Sequence, residues 1–354
     1  MNLVDDWLLE DCQQDRRNYQ LALYATHLAT GSTLWHKSIK SSTIGKYLFD
    51  VAKFLGLFNK IDCRKTDSIS TKLAPCIQAV LTEVARWEGV KDKREPYTSD
   101  MFYWQDRRCQ ALESTNPDSI HHALRDWFGV GLYGGLRLTE WAQEASNSSL
   151  ENPVLDNKGI PKAFCLSDLE FRSIGNRRIS LEEAFKAPEA TLERAIVTFS
   201  HQKNNNDGEQ RIFIRNESSP RLCFVTLMLR IFKRFIRLVG WNRRHTPLCV
   251  YITESSQIRL ITSTEIVVEM REAASAVYNL DPIKDKDTLS SWSAHSLRVG
   301  ACVILHAMGF TGELIKFILR WKSDCFMGYL RNLGILSARQ NVAIADIKSM
   351  PNFL

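Results

Sequence analysis

The chain carries His295-Ser296-Leu297-Arg298-Val299-Gly300-Ala301 and, further on, Arg320-Trp321-Lys322-Ser323-Asp324-Cys325-Phe326-Met327-Gly328-Tyr329. Far upstream lies Gly134-Gly135-Leu136-Arg137-Leu138-Thr139-Glu140, and between the two regions stands Lys203. These residue types suit work on a phosphodiester. A fixed guanidinium offers a planar fork of donors to a phosphate, and Glu140 is placed to brace Arg137. A tyrosine hydroxyl, which ordinarily ionises only near pH 10, attacks only when helped. Arginines nearby favour the phenolate, and a histidine can accept its proton. A lysine can return a proton to the leaving hydroxyl. The indole N–H of Trp321 can pack and donate at once. Together the six can clamp a phosphodiester and attack it without a metal.

Each residue alone also has a plainer reading. Arg137 after two glycines suits a surface or capping residue. Lys203 suits a solvated hairpin position, with Lys186 as a rival for the same role. His295 and Arg298, three apart, share one helix face and can simply satisfy local carbonyls. Trp321 and Tyr329 suit a core.

The elements that must hold these groups are mostly helical. Ser42-Thr43 suits a helix cap ahead of Ile44, Tyr47, Leu48, Val51, Phe54 and Leu55, which recur at helical spacing. A second helix follows Pro75 through Ile77, Val80, Leu81, Val84 and Trp87, and the polar stretch from Asn59 to Ser70 connects them. The charged stretch from Glu88 to Pro96 reads as a domain boundary. Tyr97 to Asp100 caps another helix, and one more runs from Pro117 to Tyr133, just before Arg137. A β region follows, with strands at Ala163 to Phe171, Arg194 to His201 and Gln210 to Arg215. Asn204 to Gly208 forms the turn between the last two, because Asn, Asp and Gly tolerate positive φ. From Pro220 onward the chain reads as mostly helical, with capping-box spacing from Thr262 to Glu265. His295 and Arg298 would sit in the first turn of a packed helix, where an anion is favoured.

Length and composition agree. A chain of 354 residues, 44% of them hydrophobic, suits two domains with packed cores. The net charge of +6 permits a nucleic-acid partner without demanding one. No run of about 18 apolar residues suggests a membrane span, and Met1 to Trp7 lacks the apolar stretch of a secretory leader. Nine scattered cysteines with no Cys-x-x-Cys pair read as buried thiols, not as disulfides or a zinc site.

The order and spacing of the candidates resemble the tyrosine recombinases, or phage-integrase family. Gly135 to Glu140 matches its Gly-Leu-Arg-x-x-Glu box. His295 through Tyr329 matches its His-x-Leu-Arg box followed by His or Trp and then Tyr. The Arg320 to Asp324 variant looks most like the recombinases of eukaryotic mobile elements of the Crypton and DIRS type. The family usually carries a glycine just before the His/Trp position, where this chain has Arg320.

The resemblance implies an α+β protein, mainly helical with a small antiparallel sheet. A helical core-binding domain, 1–92, and a catalytic domain, 93–354, would grip duplex DNA as a C-shaped clamp. Tyr329 would form a 3′-phosphotyrosyl link, with Arg137 and Arg298 stabilising the growing charge. Lys203 would protonate the leaving oxygen, His295 would act on the tyrosine proton, and Trp321 would support the phosphate. No cofactor is implied, neither ATP nor metal. The expected partners are double-stranded DNA and a homotetramer on two DNA sites, with no membrane. The expected location is nuclear in a eukaryote and cytoplasmic otherwise. The tail from Leu333 to Leu354 would dock on a neighbour. The alternatives are a DNA-binding protein derived from such an enzyme but no longer cutting, and a type IB topoisomerase-like enzyme.

Overall fold

A computed structural model describes residues 14–30, 39–56, 62–66, 72–87, 94–112, 116–144, 148–202, 207–321 and 324–330. The chain divides into two compact units, Met1–Asp92 and Lys93–Leu354. The protein is mainly α-helical with a small antiparallel sheet.

The first unit packs α1 (Gln14–Ala29), α2 (Ser41–Gly56) and α3 (Pro75–Trp87) against one another. In α2, Ile44, Leu48, Ala52 and Leu55 recur every three to four residues and form one buried stripe. They meet Leu21, Ala25 and Leu28 of α1, and Ile77 and Val84 of α3. The buried arc of α2 is rotated toward Ala52. Tyr47 and Phe54, expected inside, therefore lie exposed on the other shoulder, as does Trp87 at the end of α3. Ser42 and Thr43 are not caps, because α2 already begins at Ser41. The face of α1 is built largely from Ala22, Ala25 and Ala29, so large-residue periodicity barely marks it.

The second unit is organised around α5 (Ile120–Gly134), which is buried over most of its length. It packs on α4 (Ser99–Leu112), α8 (Phe224–Leu238) and α11 (Ser296–Ala307). Ser119, not Pro117, stands at its N-cap. Asp126, fully buried on α5, bonds Arg125 at 2.8 Å and Arg234 of α8 at 2.5 Å. Those guanidinium charges hold its carboxyl below the usual range against the opposing effect of burial. After α5 comes the short α6 (Leu138–Trp141).

The sheet has strands β1 (Leu169–Ser173), β2 (Arg177–Ile179), β3 (Leu192–Phe199) and β4 (Glu209–Ile214), in the order β2-β1-β3-β4 and antiparallel throughout. Phe171, Ala195 and Phe213 pair across it, and Phe171 and Phe213 meet Phe232 and Phe224 of α8. The strand expected from Ala163 starts only at Leu169, and β2 was not foreseen. Leu166–Asp168 is a 3-10 turn because the Asp168 carboxylate accepts the Cys165 N–H at 2.8 Å and draws that backbone out of a ladder. Beyond β2, α7 (Leu181–Lys186) packs on α8 and β1.

The region after Pro220 is not helical throughout. A hairpin of β5 (Val250–Ile252) and β6 (Ile258–Leu260) interrupts it. These strands have three residues each, too short for alternation to mark them. Next comes α9 (Ser263–Tyr278), whose Thr262 N–H donates to Glu265 at 2.7 Å in the expected capping box. After it come α10 (Lys286–Leu289), α11, α12 (Gly312–Leu319) and α13 (Met327–Leu330). No described helix is long and apolar enough to cross a membrane. Residues 1–13, 57–61, 67–71, 88–93, 203–206 and 331–354 lie outside the described residues, so the readings made of Met1 to Trp7, Lys203, Asn204 to Asn206 and Leu333 to Leu354 do too, as do most of the stretches Asn59 to Ser70 and Glu88 to Pro96.

Candidate active site

Helix α11 presents two of the expected residues. Leu297, Val299, Ala301 and Cys302 bury the helix in the core. His295 stands at its N-cap and Arg298 in its first turn. One backbone bond and one side-chain bond fix this entry: Tyr97 N–H donates to Ser296 O at 3.0 Å, and Trp292 Nε1 donates to Pro96 O at 3.2 Å. Gly300 lets α11 lie directly on the Tyr97 carbonyl, where a Cβ would overlap the oxygen.

The end of α5 presents the third residue. Gly135 adopts φ 51°, in the left-handed region that glycine favours. The chain turns there and places Arg137 at the N-cap of α6. Glu140 is buried and accepts from Arg137 N at 2.8 Å and from Arg137 Nη1 at 2.9 Å. The brace expected from sequence is present. The same carboxylate accepts from Arg320 Nη2 at 2.8 Å.

Arg298 is buried and donates to Gly135 O at 2.5 Å and to Leu319 O at 3.4 Å. Its guanidinium lies 5.1 Å from the centre of the Trp321 ring. Burial, and then the charge of Arg137, push its pKa down to about 9, which leaves it protonated at neutral pH. Three guanidinium charges, those of Arg137, Arg298 and Arg320, thus face one carboxylate, Glu140. A partly buried cluster with excess positive charge has the chemistry to hold an anion.

Trp321 and Tyr329 come from the α12–α13 segment. Phe326 and Leu330 sink into a cluster with Ala301, Cys302, Ile315 and Leu319, and Trp321 and Tyr329 pack on it half-buried. The Trp321 ring lies 5.7 Å from Phe326 and 5.9 Å from Tyr329. These anchors place the Tyr329 hydroxyl 2.7 Å from His295 Nε2. His295 is exposed at the surface, yet surrounding protein and the charges of Arg298 and then Arg94 push its pKa below the ordinary 6.5. It is therefore neutral at pH 7. With its proton on Nδ1, it can accept from Tyr329 through Nε2.

Five of the six residues singled out in the sequence meet in this region: Arg137, His295, Arg298, Trp321 and Tyr329. Lys203, the sixth, lies outside the described residues, but its flanks are placed. Gln202 N–H donates to Asp207 at 2.7 Å, and Gln202 Nε2 donates to Glu209 at 2.9 Å. Arg211 of β4 donates to Phe317 O of α12 at 2.8 Å, and the Phe199 ring lies 3.7 Å from the Arg320 guanidinium. The ends of β3 and β4 that flank the turn therefore abut the cluster. Lys186, the rival, is exposed at the end of α7.

Sequence reading did not assign Arg320 a role. Its one visible signal was a basic residue where the resembled family has glycine.

No protein-family model and no curated protein matches the chain. Among solved structures it is similar to the Tn1549 transposon integrase in complex with transposon right-end DNA, with 13% identity and a TM-score of 0.45 over 96% of this chain and 90% of that one. It is also similar to the XerA recombinase, with 14% identity and a TM-score of 0.35 over 94% of this chain and all of the other.

Proposed function

We propose that this chain is a site-specific tyrosine recombinase that cuts and rejoins DNA through a 3′-phosphotyrosyl intermediate. The observation that carries the reading is the 2.7 Å bond between Tyr329 and His295, set beside a cluster with excess guanidinium charge. A nucleophile, a neutral base and a phosphate clamp are the groups that metal-free phosphodiester transfer requires.

In the proposed step the Tyr329 oxygen bonds to phosphorus and the bond from phosphorus to the 5′ oxygen breaks. The tyrosine proton passes to His295 Nε2, and Lys203 delivers one to the leaving 5′ oxygen. Arg137 and Arg298 neutralise charge growing on the non-bridging oxygens, and Trp321 backs the phosphate and the Arg298 face. Attack by a new 5′ hydroxyl reverses the step and conserves the bond energy, so no ATP is consumed, and the arginines and Lys203 supply the charge that a metal would otherwise bring. The partner is duplex DNA, and two sites held by a homotetramer permit exchange.

The test is a nicked suicide duplex incubated with the protein in excess EDTA. The expected result is a covalent adduct that Tyr329→Phe abolishes while duplex affinity stays within a few-fold, because backbone contacts carry affinity. An adduct formed by Tyr329→Phe would remove Tyr329 as nucleophile, and binding with no adduct from the unaltered protein would leave a DNA-binding protein. Relaxation of supercoils without exchange between two sites would mark a topoisomerase.

A further inference from the structure

Arg320 ends α12 in the left-handed region, at φ 56° and ψ 46°. A side chain there is unfavourable, and glycine is the residue that adopts this backbone freely. The chain nonetheless holds an arginine there, and buries it. Its Nη1 donates to Gly134 O at 3.1 Å and its Nη2 to Glu140 at 2.8 Å, while its own carbonyl accepts from Arg137 Nη2 at 3.4 Å. Trp321, the next residue, is held by its N–H on Lys316 O at 2.9 Å. One residue thus touches the turn after α5, the brace of Arg137 and the start of the segment that carries Trp321 and Tyr329.

We infer that Arg320 is a positioning residue of the phosphate clamp, which through Glu140 and Gly134 locks Arg137 in register with the segment bearing Tyr329. The inference rests on the recombinase reading above. With two guanidinium donors on one carboxylate, Glu140 cannot swing, and neither can the fork of Arg137 that it braces. The Nη1 and Nη2 of Arg320 donate to Gly134 and Glu140, and through the shared Glu140 carboxylate Arg320 acts on Arg137.

The experiment compares the unaltered protein with Arg320→Gly, Arg320→Lys, Glu140→Gln and the double variant Arg320→Gly/Glu140→Gln. Glycine suits the backbone at this position, so loss in Arg320→Gly reports the guanidinium and not the turn. Single-turnover cleavage of the nicked duplex at saturating DNA, duplex affinity and melting temperature are measured for each. Arg320→Gly is expected to slow cleavage at least tenfold with duplex affinity within about threefold, and Arg320→Lys to recover part of the rate. Combined with Glu140→Gln, Arg320→Gly should add little further loss, because both act on Arg137 through one contact. Cleavage by Arg320→Gly slowed less than tenfold, losses that multiply in the double variant, or a rate loss that merely follows melting temperature across the four variants would overturn the assignment. An unaltered protein that forms no adduct would instead overturn the recombinase reading, and this inference with it.

Discussion

His295 Nε2 and the Tyr329 hydroxyl lie 2.7 Å apart, although they stand at the two ends of a 34-residue interval. The first is held by the entry to α11 and the second by Phe326 and Leu330 in the core. Because the imidazole pKa is pushed below 6.5, the base form persists through neutral pH.

The pH dependence follows. Cleavage at saturating DNA should stay level on the acid side of neutrality until pH falls below His295's ordinary 6.5, then drop as the imidazole protonates. His295→Gln should be slower and should lose that acid limb. The same lowered pKa means that the unfolded state binds more protons as pH falls below 6.5, so the contribution of His295 to stability is present above that pH and declines below it. A rate profile with the same acid limb in His295→Gln would assign the limb to another group.

Arg137→Ala and Arg298→Ala should each raise the cleavage barrier by about 3 kcal/mol or more, comparable with loss of an oxyanion donor. The Lys variants should recover only part, because an ammonium lacks the planar fork. Single-turnover rates decide it. Lys variants as fast as the unaltered protein would mean that the site needs only charge.

Gly300→Ala should destabilise the protein by about 1–3 kcal/mol, since the added methyl meets the Tyr97 carbonyl and α11 must shift. That shift moves His295 and Arg298 together, so cleavage should fall as well. Gly328→Ala is the control: among the described residues nothing lies within 4 Å of its Cβ position, and denaturation should change by less than about 0.5 kcal/mol. Equal melting of both variants would show that α11 has room to move.

Lys203→Ala should be slow on ordinary DNA and largely restored on a substrate with a 5′-bridging phosphorothioate, whose leaving group needs little protonation. An equal defect on both substrates would exclude Lys203 as the acid and direct attention to other residues of the hairpin.

The residues with local signatures were legible in the sequence. The Thr262–Glu265 box, the β3–β4 hairpin, the glycine turn before Arg137 and the three-residue spacing of His295 and Arg298 all depend on neighbours within a few positions. Short-range hydrogen bonding and backbone preference leave a direct trace in residue order, and the chemistry of the candidates could be read from their side chains. Tertiary packing decided the rest. Which shoulder of α2 is buried depends on where α1 and α3 lie, so Tyr47 and Phe54 face out despite their periodicity. The 3-10 turn at Leu166–Asp168 depends on one carboxylate outcompeting a strand. The shared hold of Arg137 and Arg320 on Glu140 joins residues 180 positions apart, and the Arg298 bond to Gly135 spans 163. No pattern of neighbours encodes such contacts. They exist because burial brings unlike segments together and leaves each buried charge needing a partner.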